Sequence, residues 1–131
     1  MASKLLGNII GVSFMLEPAK ASAKFDKILL FAIDETMKYV MGEGNAAIIF
    51  NYLEANSCPK EQIPQKLELF SSALRDLIGN GRRQILGAAC VLETTIAETF
   101  AARIGRSFDA HEPINFPRYI KQLKQAYIEN Q

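Results

Sequence analysis

The sequence predicts an all-α fold, a compact bundle of four to five helices preceded by an apolar N-terminal segment. Apolar residues recur at spacings of three and four along most of the 131 residues, and glycine or proline stands at most ends of these periodic runs. The composition, 49% hydrophobic and 22% charged, is typical of one globular domain of this length. We therefore expect a docking segment over residues 1–22 and a single helical domain over residues 23–131.

The N-terminal segment begins with a lysine and an apolar run from Leu5 to Leu16, an outline that resembles a secretory signal. Glu17 and Lys20 interrupt that outline, and about 12 residues are too few to cross a bilayer as a helix. We interpret the segment as a short strand or helix that docks on the body or on another subunit, with a membrane-surface anchor as the alternative. The residues expected at this interface are Leu5, Leu6, Ile9, Ile10 and Phe14.

Five helices are expected after this segment. They begin near residues 23, 45, 64, 81 and 117, and the first four end near residues 41, 56, 78 and 104. Gly42, Gly79 and Gly105 follow the last periodic residue of three of them, where glycine commonly ends a helix. Asn45 suits an N-cap, and Pro64 and Pro117 suit the first turn of a helix because the missing amide would be unpaired there.

The helix expected over residues 81–104 differs from the others because it is apolar on more than one side. Only Glu93, Glu98 and Arg103 would require contact with water. A helix of this kind lies at the centre of a bundle or at a subunit interface. A channel lined for an apolar ligand is the alternative.

The turn Gly79-Asn80-Gly81-Arg82-Arg83 is the best candidate for a binding site. Amides at a helix N-terminus, close-approach glycines and two arginines could together hold an anion or an acidic partner. The stretch lacks the P-loop pattern, and a plain turn between two helices explains the glycines equally well. The arginines oppose the helix dipole, which is a local conflict of the kind found at functional sites.

No catalytic or metal-binding constellation is visible in the sequence. Asp109, His111 and Glu112 lie close together, but a second histidine or a helical i, i+4 pair is missing, so a solvated loop is expected there. Ser71 and Ser72 lie on an expected helix without a nucleophile elbow. We therefore expect neither an enzyme nor a cofactor nor a metal.

The charge balance and the cysteine usage limit the partners. The net charge is only +1, whereas a protein held mainly by phosphates would be more basic. Nucleic-acid binding through Arg82, Arg83 and the C-terminal basic residues is therefore a secondary hypothesis. Cys58 and Cys90 are 32 residues apart without a CxxC motif, which favours an intracellular, cytoplasmic protein over a disulfide framework.

Residues 33–105 resemble a small archaeal all-helical domain family of unknown function, of the type found in nitrifying archaea. The matching motifs are Leu53-Glu54, Glu61-Gln62-Ile63-Pro64, Leu67-Glu68-Leu69-Phe70, Ala73-Leu74, Gly79-Asn80-Gly81 and Arg103-Ile104-Gly105. The resemblance implies an all-α fold and an archaeal origin, and it implies no activity. The segment over residues 1–24 and the last helix fall outside it.

The function expected from these observations is non-enzymatic association. The chain would form a homo-oligomer or dock to a protein partner through the apolar helix, the N-terminal segment, or both, because exposed apolar patches are costly for a monomer. A small nucleic-acid-binding regulator and a sensor of an apolar ligand are the alternatives.

Overall fold

The computed structural model describes residues 5–78, 88–108 and 114–130, with the backbone alone for residues 5–17 and 88. The predicted all-α fold is confirmed, and the described residues contain no strand. Five α-helices and one 3₁₀ helix form the described fold: α1 (Leu5–Met41), α2 (Glu43–Ala55), the 3₁₀ helix (Lys60–Gln65), α3 (Leu67–Ile78), α4 (Ala88–Arg103) and α5 (Phe116–Glu129).

Helix α1 is continuous from Leu5, so the helix boundary expected near Ala23 is wrong. The N-terminal segment takes the helical form of the two forms that the sequence allowed. Pro18 lies inside this helix, where it removes one backbone hydrogen bond without ending the helix. Alanines at positions 19, 21 and 23 are strong helix formers and favour this continuity.

The apolar stripe of α1 organises the core. Phe25, Leu29, Ile33 and Met37 recur every four residues and are fully buried. Along this stripe α1 packs against α2, the 3₁₀ helix, α4 and α5. Helix α3 completes the bundle by packing against α2, the 3₁₀ helix, α4 and α5.

Four buried phenylalanines join the helices in pairs. The rings of Phe25 in α1 and Phe100 in α4 meet edge to face at 4.8 Å between centroids. The rings of Phe70 in α3 and Phe116 in α5 lie 5.9 Å apart. Aromatic pairs of this geometry add to the stabilisation from apolar burial, so they fix which helices lie side by side.

Helix α4 packs against α1, α3 and α5 but is not covered on every side. Its buried face contains Ala89, Leu92, Glu93, Ile96, Ala97, Phe100 and Ala101, whereas Val91, Glu98 and Ala102 are exposed. Cys58 lies in the loop between α2 and the 3₁₀ helix and is fully buried, whereas Cys90 lies in α4 and is half-buried. Burial raises the pKa of the Cys58 thiol, although the positive charge of Lys66 acts in the opposite direction.

Two of the three glycines expected to end helices do so in the described residues. Gly42 follows α1 with φ +87°, and Gly105 follows α4 with φ +75°, a region that other residues adopt only with strain. After α4, the Arg106 amide donates to the Ala101 carbonyl at 2.8 Å and the Gly105 amide donates to the Ala102 carbonyl at 3.1 Å. This is a Schellman motif, which satisfies carbonyls at the end of the helix. Gly79 lies outside the described residues.

The expected N-cap of α2 is wrong by three positions. Gly42 is the N-cap, and α2 begins at Glu43. The Asn45 side chain instead donates to the Met41 carbonyl at 3.0 Å. A single glycine therefore both ends α1 and starts α2, which leaves no room for a separate capping turn at Asn45.

The two prolines expected at helix starts have different outcomes. Pro64 is buried within the 3₁₀ helix, and α3 begins three residues later at Leu67. Pro117 lies in the first turn of α5 as expected. Asn115 caps α5, because its side-chain oxygen accepts from the Arg118 amide at 3.1 Å.

Two acidic residues of α1 form ion pairs with residues of other helices. Asp34 accepts from Lys60 of the 3₁₀ helix at 2.5 Å and pairs with Lys38 at 3.2 Å. Burial raises the pKa of Asp34, but the hydrogen bonds and charges of Lys60 and Lys38 outweigh burial, so its pKa lies below the ordinary value. Asp26 accepts from Lys124 of α5 at 2.9 Å. Partly exposed pairs of this kind orient helices more than they stabilise them.

Replacing Phe100 tests the packing of α1 on α4. We expect Phe100→Ala to lower the free energy of unfolding by about 3–5 kcal/mol, because it removes a fully buried ring and its contact with Phe25. The matched control is Val91→Ala on the exposed side of the same helix, with an expected change within about 0.5 kcal/mol. Urea denaturation of both variants measures the difference, and equal effects would contradict this packing.

Candidate functional site

A groove among the described residues lies between α3 and α5 and has a volume of about 990 Å³. We call it the α3–α5 groove. Twelve residues line it, nine of them polar: Glu68, Ser71, Ser72, Arg75, Ile114, Asn115, Phe116, Pro117, Arg118, Lys121, Gln122 and Gln125. Ile114 and Phe116 are buried and form an apolar floor, whereas the polar side chains of α5 are exposed.

The rim of the groove carries more positive than negative charge. Among the described residues, Arg75, Arg118 and Lys121 line it, and Glu68 is the one lining acid. Lys121 and Glu68 form an ion pair in which both side chains are more than half exposed. The hydrogen bond from Lys121 lowers the pKa of Glu68, so Glu68 remains ionised and occupies Lys121.

Arg118 is the rim cation without an ion pair among the described residues. It lies in the first turn of α5, three residues after the N-cap Asn115. No acidic residue is present in that turn. A positive side chain in this position opposes the helix dipole, so nothing local in the described fold offsets its charge.

A buried carboxylate lies behind the α3 wall of the groove. Glu93 of α4 has no exposed surface, and its two oxygens accept from Arg75 Nη1 and Nη2 at 3.1 Å each. The hydroxyl of Ser71 donates to the same carboxylate. The expectation that Glu93 would face water is therefore wrong, because a bidentate arginine and a hydroxyl satisfy it inside the core.

The cluster of Ser71, Arg75 and Glu93 fixes the arginine at the groove. Arg75 Nη1 also donates to Ser71 Oγ at 2.5 Å, so the guanidinium is held from two sides. A guanidinium has five N–H donors. Its Nε–H and the second Nη2 hydrogen have no acceptor in the part of the chain that the structure describes. Arg75 is 40% exposed, so these donors are accessible from the groove.

The geometry of Ser71 does not favour nucleophilic catalysis. Its side chain is nearly buried, its hydrogen is donated to Glu93, and its oxygen accepts from Arg75. A serine nucleophile needs a free lone pair facing a substrate and a base that can take its proton. The cluster therefore orients Arg75 rather than activating Ser71.

A second, smaller depression continues the groove along α5. It has a volume of about 290 Å³ and is lined by Lys121, Lys124, Gln125, Ile128 and Glu129. The two depressions share Lys121 and Gln125. From Asn115 to Ile128 they follow 13 steps of α5, about 20 Å at 1.5 Å per residue.

Other basic residues proposed for nucleic acid are engaged within the fold. Arg103 pairs with Glu35 and lies over the Phe31 ring at 5.0 Å. Lys124 pairs with Asp26. The charges of these two cations are thus offset by acidic partners in the described fold.

The residues that the sequence singled out do not meet in this groove. Gly79, Asn80, Gly81, Arg82 and Arg83 lie outside the described residues, as do Asp109, His111 and Glu112. Within the described ranges, no group of three His, Cys, Asp or Glu side chains could hold a metal ion. Across those ranges no helix combines the length and the apolar character needed to span a bilayer.

The residues expected at an N-terminal interface all lie in the first turns of α1. They are Leu5, Leu6, Ile9, Ile10 and Phe14, and the structure describes their backbone alone. Their role in an interface stays a prediction.

The groove was not predicted from the sequence, because the residues that line it form no motif along the chain. Arg75 and Glu93 are 18 positions apart on different helices. One signal was available, since Glu93 interrupts an otherwise apolar stripe of α4 and a buried acid requires a partner. Asn115 before Phe116-Pro117 was a second signal, for the start of α5.

Comparisons with family models, with curated proteins and with solved structures found no match to this chain. The resemblance to an archaeal helical family therefore stays a prediction, and function has to be argued from the geometry of the groove.

The pair Arg75 and Glu93 can be tested by a double-mutant cycle. We expect Arg75→Met to lower the free energy of unfolding by about 3 kcal/mol, because it leaves a buried carboxylate without its partner. The double variant Arg75→Met/Glu93→Leu should regain most of this loss.

The exposed pair Glu68 and Lys121 is the matched control for this cycle. Replacing Lys121 by Met should change the free energy of unfolding by less than about 1 kcal/mol, because both side chains of the pair are solvated. Urea denaturation measures all variants. Equal losses in Arg75→Met and Lys121→Met would contradict the role assigned to Glu93.

Proposed function

We propose that the chain is a non-catalytic helical association module that docks a segment of a protein partner in the α3–α5 groove. The observation that carries this proposal is the groove itself, about 990 Å³ between two helices and uncovered among the described residues. Its buried apolar floor and its polar, solvated rim resemble the anatomy of protein interfaces.

A polypeptide fits the groove better than a small apolar ligand. Sites for small molecules are largely enclosed, whereas this groove is open to solvent and nine of its twelve described lining residues carry polar groups. The groove also continues along α5 into the second depression. An elongated, polar track of this kind suits an extended chain with alternating contacts.

Nucleic acid is a weaker candidate for the same surface. Affinity for phosphates requires several cations acting together. In the described fold Lys124 pairs with Asp26 and Arg103 with Glu35, which leaves few cations at the groove for the joint contacts that a phosphate backbone requires. The net charge of +1 adds no long-range attraction.

The hydrogen bonding of the side chains in the groove supports a non-catalytic role. Its serine nearest to a carboxylate, Ser71, is buried and doubly hydrogen-bonded. Glu93 is held by Arg75. We further propose an intracellular, cytoplasmic setting, on the two cysteines without a disulfide framework.

An unbiased peptide library tests the proposed groove. We expect selection on the full chain to yield peptides that shift the amide resonances of residues 68–75 and 114–125 in ¹⁵N NMR spectra. Gln122→Trp, an exposed position in the groove, should fill it and reduce the affinity of those peptides by about tenfold, a loss of about 1.4 kcal/mol.

The control for the library is Glu98→Trp, an equally exposed position on α4 outside the groove, which should leave the affinity unchanged. Selected peptides whose shifts map only to other faces of the bundle would contradict the proposal.

Self-association is a second candidate, favoured by the length of α1. Its 37 residues span about 55 Å, whereas α4, with 16 residues, spans about 24 Å. The side chains of α1 are described from Pro18 onward, and Ala21 is the first buried one among them. Eight of the twelve residues from Leu5 to Leu16 are apolar, a composition that favours cover by a second copy of the chain.

Light scattering coupled to size-exclusion chromatography tests self-association. We expect the full chain to elute as an oligomer and a chain lacking residues 1–17 to elute as a folded monomer, because the apolar part of α1 is removed while the buried stripe from Ala21 onward is kept. A full chain that is monomeric at all concentrations would exclude this candidate and leave the groove proposal unaffected.

A further inference from the structure

We infer that the α3–α5 groove selects an acidic segment, a short stretch of the partner in which aspartate or glutamate side chains flank an apolar residue. This inference rests on the proposed function and specifies the chemistry of the partner. Its basis is the charge of the rim, the donors of Arg75 that have no acceptor among the described residues, and the position of Glu68.

The rim offers more donors to carboxylates than the fold itself uses. Arg75 has an Nε–H and an Nη2 hydrogen without an acceptor among the described residues, and it is fixed in place by Ser71 and Glu93. Arg118 has no ion pair in the same part of the chain. A pre-oriented arginine binds a carboxylate with less loss of side-chain freedom than a flexible one.

Glu68 shows that a carboxylate can bind at the rim. It bonds Lys121 from the opposite wall of the groove, and both side chains are largely in water. An ion pair this exposed contributes little to stability and exchanges readily. A carboxylate of the partner can therefore take over Lys121, and Glu68 acts as an internal competitor for that ligand.

The dimensions indicate the length of the segment. The track from Asn115 to Ile128 is about 20 Å long. An extended chain advances about 3.3 Å per residue, so about six residues fill the track. Apolar atoms make up more of the groove surface than polar atoms, which gives an apolar residue of the segment a contact surface beside the acidic contacts.

The experiment uses the full chain and two fluorescein-labelled peptides of eight residues. The first carries aspartate and glutamate around a central phenylalanine, and the second carries asparagine and glutamine in their place. Fluorescence anisotropy should show that the acidic peptide binds about tenfold more tightly than the neutral one, with an affinity that falls as salt is added.

Charge-neutralising variants locate the contacts. Arg118→Gln and Lys121→Gln should each reduce the affinity for the acidic peptide about two- to fivefold, because each removes one partly solvated cation. Glu68→Gln should strengthen binding about two- to fivefold, because it removes a like charge and releases Lys121. Lys27→Gln, an exposed α1 lysine outside the groove, is the control with the same change in net charge as the two cation variants and should have no effect.

The outcomes separate this inference from the proposed function. Groove-binding peptides that are neutral or basic would overturn the acidic specificity while the docking function stands. Weaker binding in Glu68→Gln would overturn the competition at Lys121. A single-stranded oligonucleotide of equal charge that binds more tightly than the acidic peptide, with the same dependence on Arg118 and Lys121, would overturn the assignment of a polypeptide ligand.

Discussion

The packing of one stripe of α1 is the constraint on which the rest of the fold depends. Phe25, Leu29, Ile33 and Met37 present a continuous apolar surface about 18 Å long, at 1.5 Å per residue. Helices α2, α4 and α5 and the 3₁₀ helix all pack against α1. A core in which one helix contacts most of the others loses several interfaces at once when its stripe is disturbed, which makes unfolding cooperative.

Helix α3 occupies a different position, since it is attached through α2, α4, α5 and the 3₁₀ helix. Its contact with α5 has a close part at Phe70 and Phe116 and an open part that forms the groove. The groove therefore lies next to a buried aromatic pair that the two helices share. This arrangement gives an apolar floor next to a solvated rim, which is the property that the proposed docking function uses.

Glu93 links the core to this surface. A carboxylate without exposed surface is costly unless its oxygens are hydrogen-bonded, and here Arg75 and Ser71 supply the bonds. A well-packed apolar residue could fill the same volume with equal or greater stability. The charge therefore has a consequence other than stability, because it fixes the guanidinium of Arg75 at the wall of the groove.

The sequence by itself determined the fold class, the main helices and several of their ends. Periodic apolar residues mark α1 from residue 25 onward, α3 and α5, and Gly42, Gly105 and Pro117 stand where helices end or begin, because these are local preferences of the backbone. The continuity of α1 through Pro18 was not predicted. A proline inside a helix and a proline at a helix start differ by only one backbone hydrogen bond, and the sequence does not distinguish the two. Only the tertiary structure decided the burial of Glu93, the orientation of Arg75 and the pairing of Glu68 with Lys121. Those features depend on contacts between residues 18 to 53 positions apart, and no local pattern in a single sequence specifies which distant side chains will meet.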